Sequence, residues 1–171
     1  MLSAGEIRRL FDLLNEKLAA EDVIGELYLV GGAVMMLAFN ARPATYDVDA
    51  VFVPKEAVRR LARAVAADAG VSEGWLNDAV KGFLSGRADF SPWLELSNLR
   101  VFVAIPEYLL AMECVAFRLG PEFRDEEDTR YLLRYLNIES AGEALAIVGR
   151  YFPADRIPAK TRFALQEILG G

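Results

Sequence analysis

The chain has 171 residues, 54% of them hydrophobic and 26% charged, a balance that supplies ample core for one folded domain and leaves no low-complexity tract. Its net charge of -6 argues against strong nonspecific DNA binding, which depends on many Lys and Arg contacts to phosphate. With no histidine and one cysteine, Cys114, the chain excludes Ser-His-Asp and Cys-His machinery, zinc centres built on His or Cys, and an internal disulfide, so that any metal site must be oxygen-liganded.

Ser3 followed by Glu6 has the capping-box spacing, and Ile7, Leu10, Phe11, Leu14 and Leu18 recur at helical intervals, which predicts an amphipathic helix to about Ala20. Leu27 to Val30 reads as a short apolar strand. After Gly31 and Gly32, Ala33 to Phe39 is apolar all round and reads as a buried helix. Asn40 to Tyr46 contains Pro43 and is a loop; Asp47 to Val53 is a strand. Pro54 suits a first helical turn and Gly70 a helix end. Between them Val58, Leu61 and Val65 form an inner stripe, and Glu56 pairs with Arg60 across one turn. Trp75 to Leu84 reads as another short helix. Trp93 to Leu96 and Leu99 to Ala104 read as strands of a hairpin over Ser97 and Asn98.

From Pro106 the pattern is helical. One helix runs to about Leu119 and is ended by Gly120 and Pro121; a second runs from near Asp125 to Leu136. A third starts at Ser140, where Glu143 repeats the capping-box spacing, and a last spans about Ala159 to Leu169. The Ser-Ala-Gly-Glu at Ser3 returns at Ser140 with unmatched flanks, which marks two similar helix starts rather than a repeat. The predicted class is α+β: a small mixed sheet with flanking helices over residues 1-105, then a C-terminal helical portion over 106-171 packed on it as one compact unit. The longest apolar stretch, Leu27 to Phe39, is too short to span a bilayer. No basic segment with an apolar signal core opens the chain, and the single cysteine suits a reducing compartment, so a cytoplasmic location with no membrane partner is expected.

Asp47 and Asp49 carry the chemistry. On a strand they face the same way, about 6–7 Å apart along the backbone, with Val48 on the opposite side. Two carboxylates at that spacing repel unless exposed or neutralised by a cation. Their oxygens suit Mg²⁺, which takes one or two protein carboxylates and leaves its other positions to water and phosphate. Gly31 and Gly32 end one element and begin a helix, where free backbone N–H groups attract phosphate and glycine permits close approach. Either half alone has a plain structural explanation, an exposed edge or a tight turn. The ordered series of strand, Gly-Gly, helix, loop and Asp-x-Asp strand is much less common.

That series resembles the nucleotidyltransferase superfamily that includes DNA polymerase beta, whose members carry a Gly-Gly or Gly-Ser pair, a helix, then Asp-x-Asp. Within it the chain looks closest to small nucleotidyltransferase-like proteins related to abortive-infection toxins, on the stretches "RPATYDVDAVF", "WLNDAVKGF" and "IPEYLLAMECVAFRLGPEFRDEEDTRYLL". The resemblance implies that Asp47 and Asp49 ligate Mg²⁺, as one or two ions, and that Gly31 and Gly32 approach the triphosphate of an NTP. It places Arg42 and Thr45 on the phosphate side; a surface ion pair and a turn are their plain alternatives. The activity implied is transfer of an NMP from an NTP to a hydroxyl acceptor, such as tRNA or a protein, by a toxin with an antitoxin partner. The alternative is a catalytically inactive nucleotide-binding or protein-interaction module with the same fold.

Two departures from the family pattern favour that alternative. Related toxins carry a lysine on the helix after the last strand, where this chain reads "LAMECVAFR" and puts Glu113. Arg118, Arg124 and Lys81 are candidate substitutes. The strand "LRVFVA" also lacks a third acid, for which Glu95, Asp125 and Asp128 are candidates. For the last two the structural alternative is strong: Asp125 as N-cap and Asp128 in an acidic first turn favoured by the helix dipole. Arg59, Arg60, Arg63, Arg130 and Arg134 read as solvated helix faces with local ion pairs rather than RNA contacts. Trp75 and Trp93 read as packing residues, and Cys114 as a buried helix residue rather than a nucleophile.

Overall fold

The computed structural model describes residues 1–78, 85–118, 120 and 123–170. Among these the fold is α+β, with a small mixed sheet and seven α-helices. By contact the chain divides into two units, Met1–Gly82 with Phe90–Val103, and Phe83–Asp89 with Ala104–Gly171. No helix among the described residues is long and apolar enough to cross a membrane.

The first unit starts with helix α1 (Ala4–Ala20), whose capping box is made in full. The Ser3 hydroxyl accepts from the Glu6 N–H at 3.2 Å, and the Glu6 carboxylate accepts from the Ser3 N–H at 2.7 Å. Strand β1 (Gly25–Val30), the short helix α2 (Gly32–Leu37), strand β2 (Val48–Val53) and helix α3 (Lys55–Ala69) follow, then strands β3 (Leu76–Asn77), β4 (Phe90–Glu95) and β5 (Leu99–Ala104). The sheet order is β3-β2-β1-β5-β4. β1 runs antiparallel to β2 and parallel to β5, and β2 runs parallel to β3.

Register decides which side chains share a face. Leu27 pairs with Phe52 and Val101, and Leu29 with Ala50 and Val103; all are buried. Onto this face pack the apolar stripes of α1 (Ile7, Leu10, Phe11, Leu14, Leu18) and α3 (Val58, Leu61, Ala62, Val65, Ala66). A side chain at Gly25 would meet Leu18 Cδ1 at 2.9 Å and Val58 Cγ2 at 3.4 Å, so the strand's first residue is the place where both helices press on the sheet. Trp75 is fully buried among them, its ring centroid 6.2 Å from that of Phe11 and its indole N–H donating to the Ala62 carbonyl at 2.9 Å. The opposite face carries Tyr28 stacked on Phe102 (4.8 Å between centroids), with Val51 across the strand pair.

In the second unit helix α4 (Pro106–Ala116) is mostly apolar. Tyr108, Leu109, Leu110, Ala111, Met112, Cys114 and Val115 are all buried, which makes it the central helix against which α5 (Asp125–Tyr135) and α6 (Ala141–Tyr151) pack. Helix α7 (Ala159–Leu169) is tied to α4 by the Thr161 hydroxyl, which donates to the Cys114 carbonyl at 2.6 Å. The segment before β4 belongs here because the Ser85 N–H donates to the Tyr108 hydroxyl at 3.2 Å and the Ser85 hydroxyl donates to the Tyr151 carbonyl.

Several local expectations are corrected. The helix expected from Trp75 does not start there: a 3₁₀ turn (Glu73–Trp75) leads into β3, where Leu76 and Asn77 pair with β2. The remainder of that expected helix, and Lys81 with it, lies outside the described residues. Asp47 stands just before β2 rather than in it, and α4 ends at Ala116. Glu56 pairs with Arg59 at 3.1 Å, not with Arg60, whose guanidinium instead donates twice to Glu21 at 2.8 and 2.5 Å.

Trp75→Ala leaves a cavity in the first unit, and is expected to cost about 3–5 kcal/mol in urea unfolding. Trp93→Ala, at a half-buried site on the edge strand β4, is expected to cost under about 1.5 kcal/mol in the same assay.

Candidate functional site

The candidate site forms where β1 ends and β2 begins. Val30 lies opposite Asp49 in the antiparallel pair, so the residue after β1 arrives beside the start of β2. That residue is Gly31, with φ +68°, a conformation that favours glycine. A Cβ on it would sit 3.4 Å from Asp49 Oδ2. Gly32 follows as the first residue of α2. A Cβ there would lie 2.9 Å from the guanidinium carbon of Arg42 and 3.4 Å from Thr45 Oγ1. The glycine pair therefore touches Asp49 on one residue and the Arg42–Thr45 loop on the next.

The loop is placed by backbone pairing. Asn40 adopts φ +53° as the chain leaves α2, and the Ala41 N–H returns to the Met35 carbonyl at 2.8 Å. Thr45 then forms an isolated antiparallel bridge with Leu2, at 2.7 and 2.9 Å, and its hydroxyl donates to the Asp47 carbonyl at 3.2 Å. Thr45 is buried.

Asp47 and Asp49 are both half-buried and alternate with the buried Val48 and Ala50. The Asn77 amide nitrogen donates to Asp49 Oδ1 at 3.0 Å. Burial raises the Asp47 carboxyl above its ordinary value, against a smaller lowering by the neighbouring Asn77 side chain. Asn77 sits there because β3 runs parallel to β2 with Asn77 opposite Asp49. A cavity of about 230 Å³ lies beside β3, with Phe52, Arg59, Arg63 and Asn77 among its lining residues.

Gly31, Gly32, Arg42, Thr45, Asp47 and Asp49 are thus brought together, and Asn77 joins them. Asn77 is not among the residues the sequence singles out, because "WLND" reads as helical and gives no sign of a strand.

Glu95 is not brought to the pair. It lies on β4, separated from β2 by β1 and β5, and its exposed carboxylate is 3.7 Å from Arg100 Nε. Asp125 and Asp128 lie on α5 of the second unit, both buried. Asp125 accepts from the backbone N–H, Nε and Nη2 of Arg118 at 2.8, 3.0 and 2.9 Å. Arg118, further engaged over the Phe123 ring at 4.5 Å, is thereby committed to Asp125. The N-cap position of α5 is Arg124, with Asp125 one residue inside. Arg124 pairs with Glu127 at 3.0 Å. Among the described residues no group of three or more acidic side chains is placed to hold a metal.

Glu113 is half-buried on α4 of the second unit. Burial, with the nearby Glu113 charge, pushes the Cys114 thiol up to about 12, which removes it as a nucleophile at neutral pH. Arg59 is held by Asp78 at 2.5 Å and Arg130 by Glu126 at 2.8 Å, so these arginines serve local ion pairs.

Two half-buried oxygen-donor carboxylates at the start of β2 form a donor set that suits a hard divalent cation. The raised Asp47 pKa has a consequence for stability. A carboxyl that holds its proton more tightly in the folded state contributes stability below its unfolded value of 3.8, and loses it as pH rises through the folded value. Asp47→Asn is therefore expected to raise the melting temperature at pH 7 in metal-free buffer, with the gain shrinking as pH falls toward 3.8. A thermal melt series from pH 3.5 to pH 8 checks it.

No family model, no curated protein and no solved structure matches this chain.

Proposed function

We propose that the first unit binds an NTP with Mg²⁺ and transfers its NMP to a hydroxyl acceptor, with pyrophosphate leaving. The observation that supports this reading is the convergence of Gly31, Gly32, Arg42 and Thr45 on the aspartate pair at one end of the β1–β2 ladder. In it the glycines let phosphate oxygens approach the backbone at the start of α2. Arg42 supplies positive charge and paired N–H donors to those oxygens. Thr45 fixes the backbone at Asp47, and the two carboxylates hold the cation. Mg²⁺ held there neutralises phosphate charge and polarises the reacting oxygens. Positioning and charge neutralisation supply most of the rate in such transfers. The acceptor in this reading is a hydroxyl of tRNA or of a protein, and the biological role is that of a toxin held by an antitoxin.

A second reading has its own support. Glu113 stands where the resemblance expects lysine, and no third acid joins the pair among the described residues. Both favour a module that binds a nucleotide, or another protein, without transferring anything.

Incubation with Mg²⁺, α-phosphate-labelled NTPs and total RNA separates the two. Label transfer to RNA or protein that disappears in Asp49→Ala supports the enzyme. Mg²⁺-dependent NTP binding with no transfer supports the module, and absence of any such binding removes both nucleotide readings. Gly32→Ala displaces the Arg42 guanidinium, and is expected to weaken NTP binding about tenfold while leaving the melting temperature within a few degrees, read by titration calorimetry and thermal melts.

A further inference from the structure

We propose that the cavity beside β3 is the pocket for the nucleobase of the NTP, with Arg63 and Glu73 reading the edge of the base. This rests on the NTP-binding reading of the glycine and aspartate site, and it adds the part of the ligand which that site leaves unplaced.

The cavity holds about 230 Å³. Pockets that take a whole small ligand run to about 300–1,000 Å³, so this one takes a fragment such as a single ring system. Its apolar part is Phe52, Ala62 and Leu76, all buried, which suits the flat face of an aromatic ring. Gly74 leaves one wall as bare backbone: a Cβ there would meet Ser72 Oγ at 3.7 Å and nothing else within 4 Å.

The charges on the lining balance, which favours a neutral group over a phosphate or a bare cation. Arg59 and Arg63 come from α3, Glu73 from the 3₁₀ turn before β3 and Asp78 from the residue after it. Arg59 and Asp78 are joined to each other at 2.5 Å. Arg63 and Glu73 are exposed and form no ion pair among the described residues. The guanidinium brings only N–H donors and the ionised carboxylate only acceptors. A nucleobase is planar and carries both acceptors and N–H donors on its edge, so it can answer both side chains at once. Asn77 lines the same cavity and donates to Asp49 Oδ1 at 3.0 Å. The cavity therefore shares a residue with the surroundings of the aspartate pair, where the cation and phosphates bind in this reading.

The test is titration calorimetry in Mg²⁺ on wild type and on the double variant Arg63→Gln with Glu73→Gln. The ligands are each of the four NTPs and, as a triphosphate without a base, inorganic tripolyphosphate. Both residues are exposed, so the fold is expected to hold, and a thermal melt of each protein checks it. Wild type is expected to bind at least one NTP about tenfold more tightly than tripolyphosphate. The double variant is expected to lose that margin while binding tripolyphosphate as wild type does. If the double variant fails to fold, Gly74→Leu takes its place, adding a side chain at the glycine wall, with the same loss expected. Equal affinity of wild type for NTPs and tripolyphosphate, or a margin that survives in the variant, overturns the nucleobase pocket and leaves the phosphate and cation reading standing. Absence of Mg²⁺-dependent binding of any NTP by wild type overturns that reading, and the pocket with it.

Discussion

Antiparallel pairing of β1 with β2, with Val30 opposite Asp49, is the constraint on which the candidate site depends. In such a pair the end of one strand adjoins the start of the other. Whatever follows β1 is therefore delivered to whatever opens β2. Here the first is Gly31-Gly32 and the second is Asp47-Val48-Asp49. A slip of one residue would turn Asp49 into the face now filled by Leu27, Leu29, Ala50 and Phe52, where an unpaired carboxylate has no place. The buried face and the site are thus set by the same register.

Asn77 gives Asp49 a hydrogen bond, and burial raises the Asp47 carboxyl. Arg42 stands against Gly32, at the start of α2. An arrangement that leaves carboxylates half-desolvated gives up stability, and such departures concentrate where a protein binds something. The contrast with Asp125 is instructive. That carboxylate is buried more deeply than the half-buried pair, yet it is satisfied by three hydrogen bonds from Arg118, one of them from the backbone, and its work is structural.

The two units meet different physical demands. The first has a sheet with one face packed by α1 and α3, so its strands alternate between buried and half-buried residues. The second is organised around a helix with seven buried residues, which needs neighbours over most of its surface to be stable. The Thr161 bond to the Cys114 carbonyl satisfies a backbone acceptor near the end of that helix. It also fixes α7 to a carbonyl that its own helix leaves open.

Local sequence determined most of the elements. The capping box at Ser3 and Glu6, the glycine at residue 70 and the 3.6-residue stripes of α1 and α3 are short-range signals, and each ends or starts a helix where the structure does. The aspartate alternation and the glycine pair were legible for the same reason, since their geometry is local to one strand and one turn. What only the tertiary structure decided is pairing. β3 is two residues long and has no periodicity of its own; it exists because the edge of β2 accepts it, and Asn77 enters the site only by that register. Arg60 reaches Glu21 rather than Glu56, and Arg118 turns to Asp125, because partners distant along the helix or chain were nearer in space. Sequence patterns encode which face of an element is apolar, whereas the partner of a polar side chain is fixed only when the elements pack.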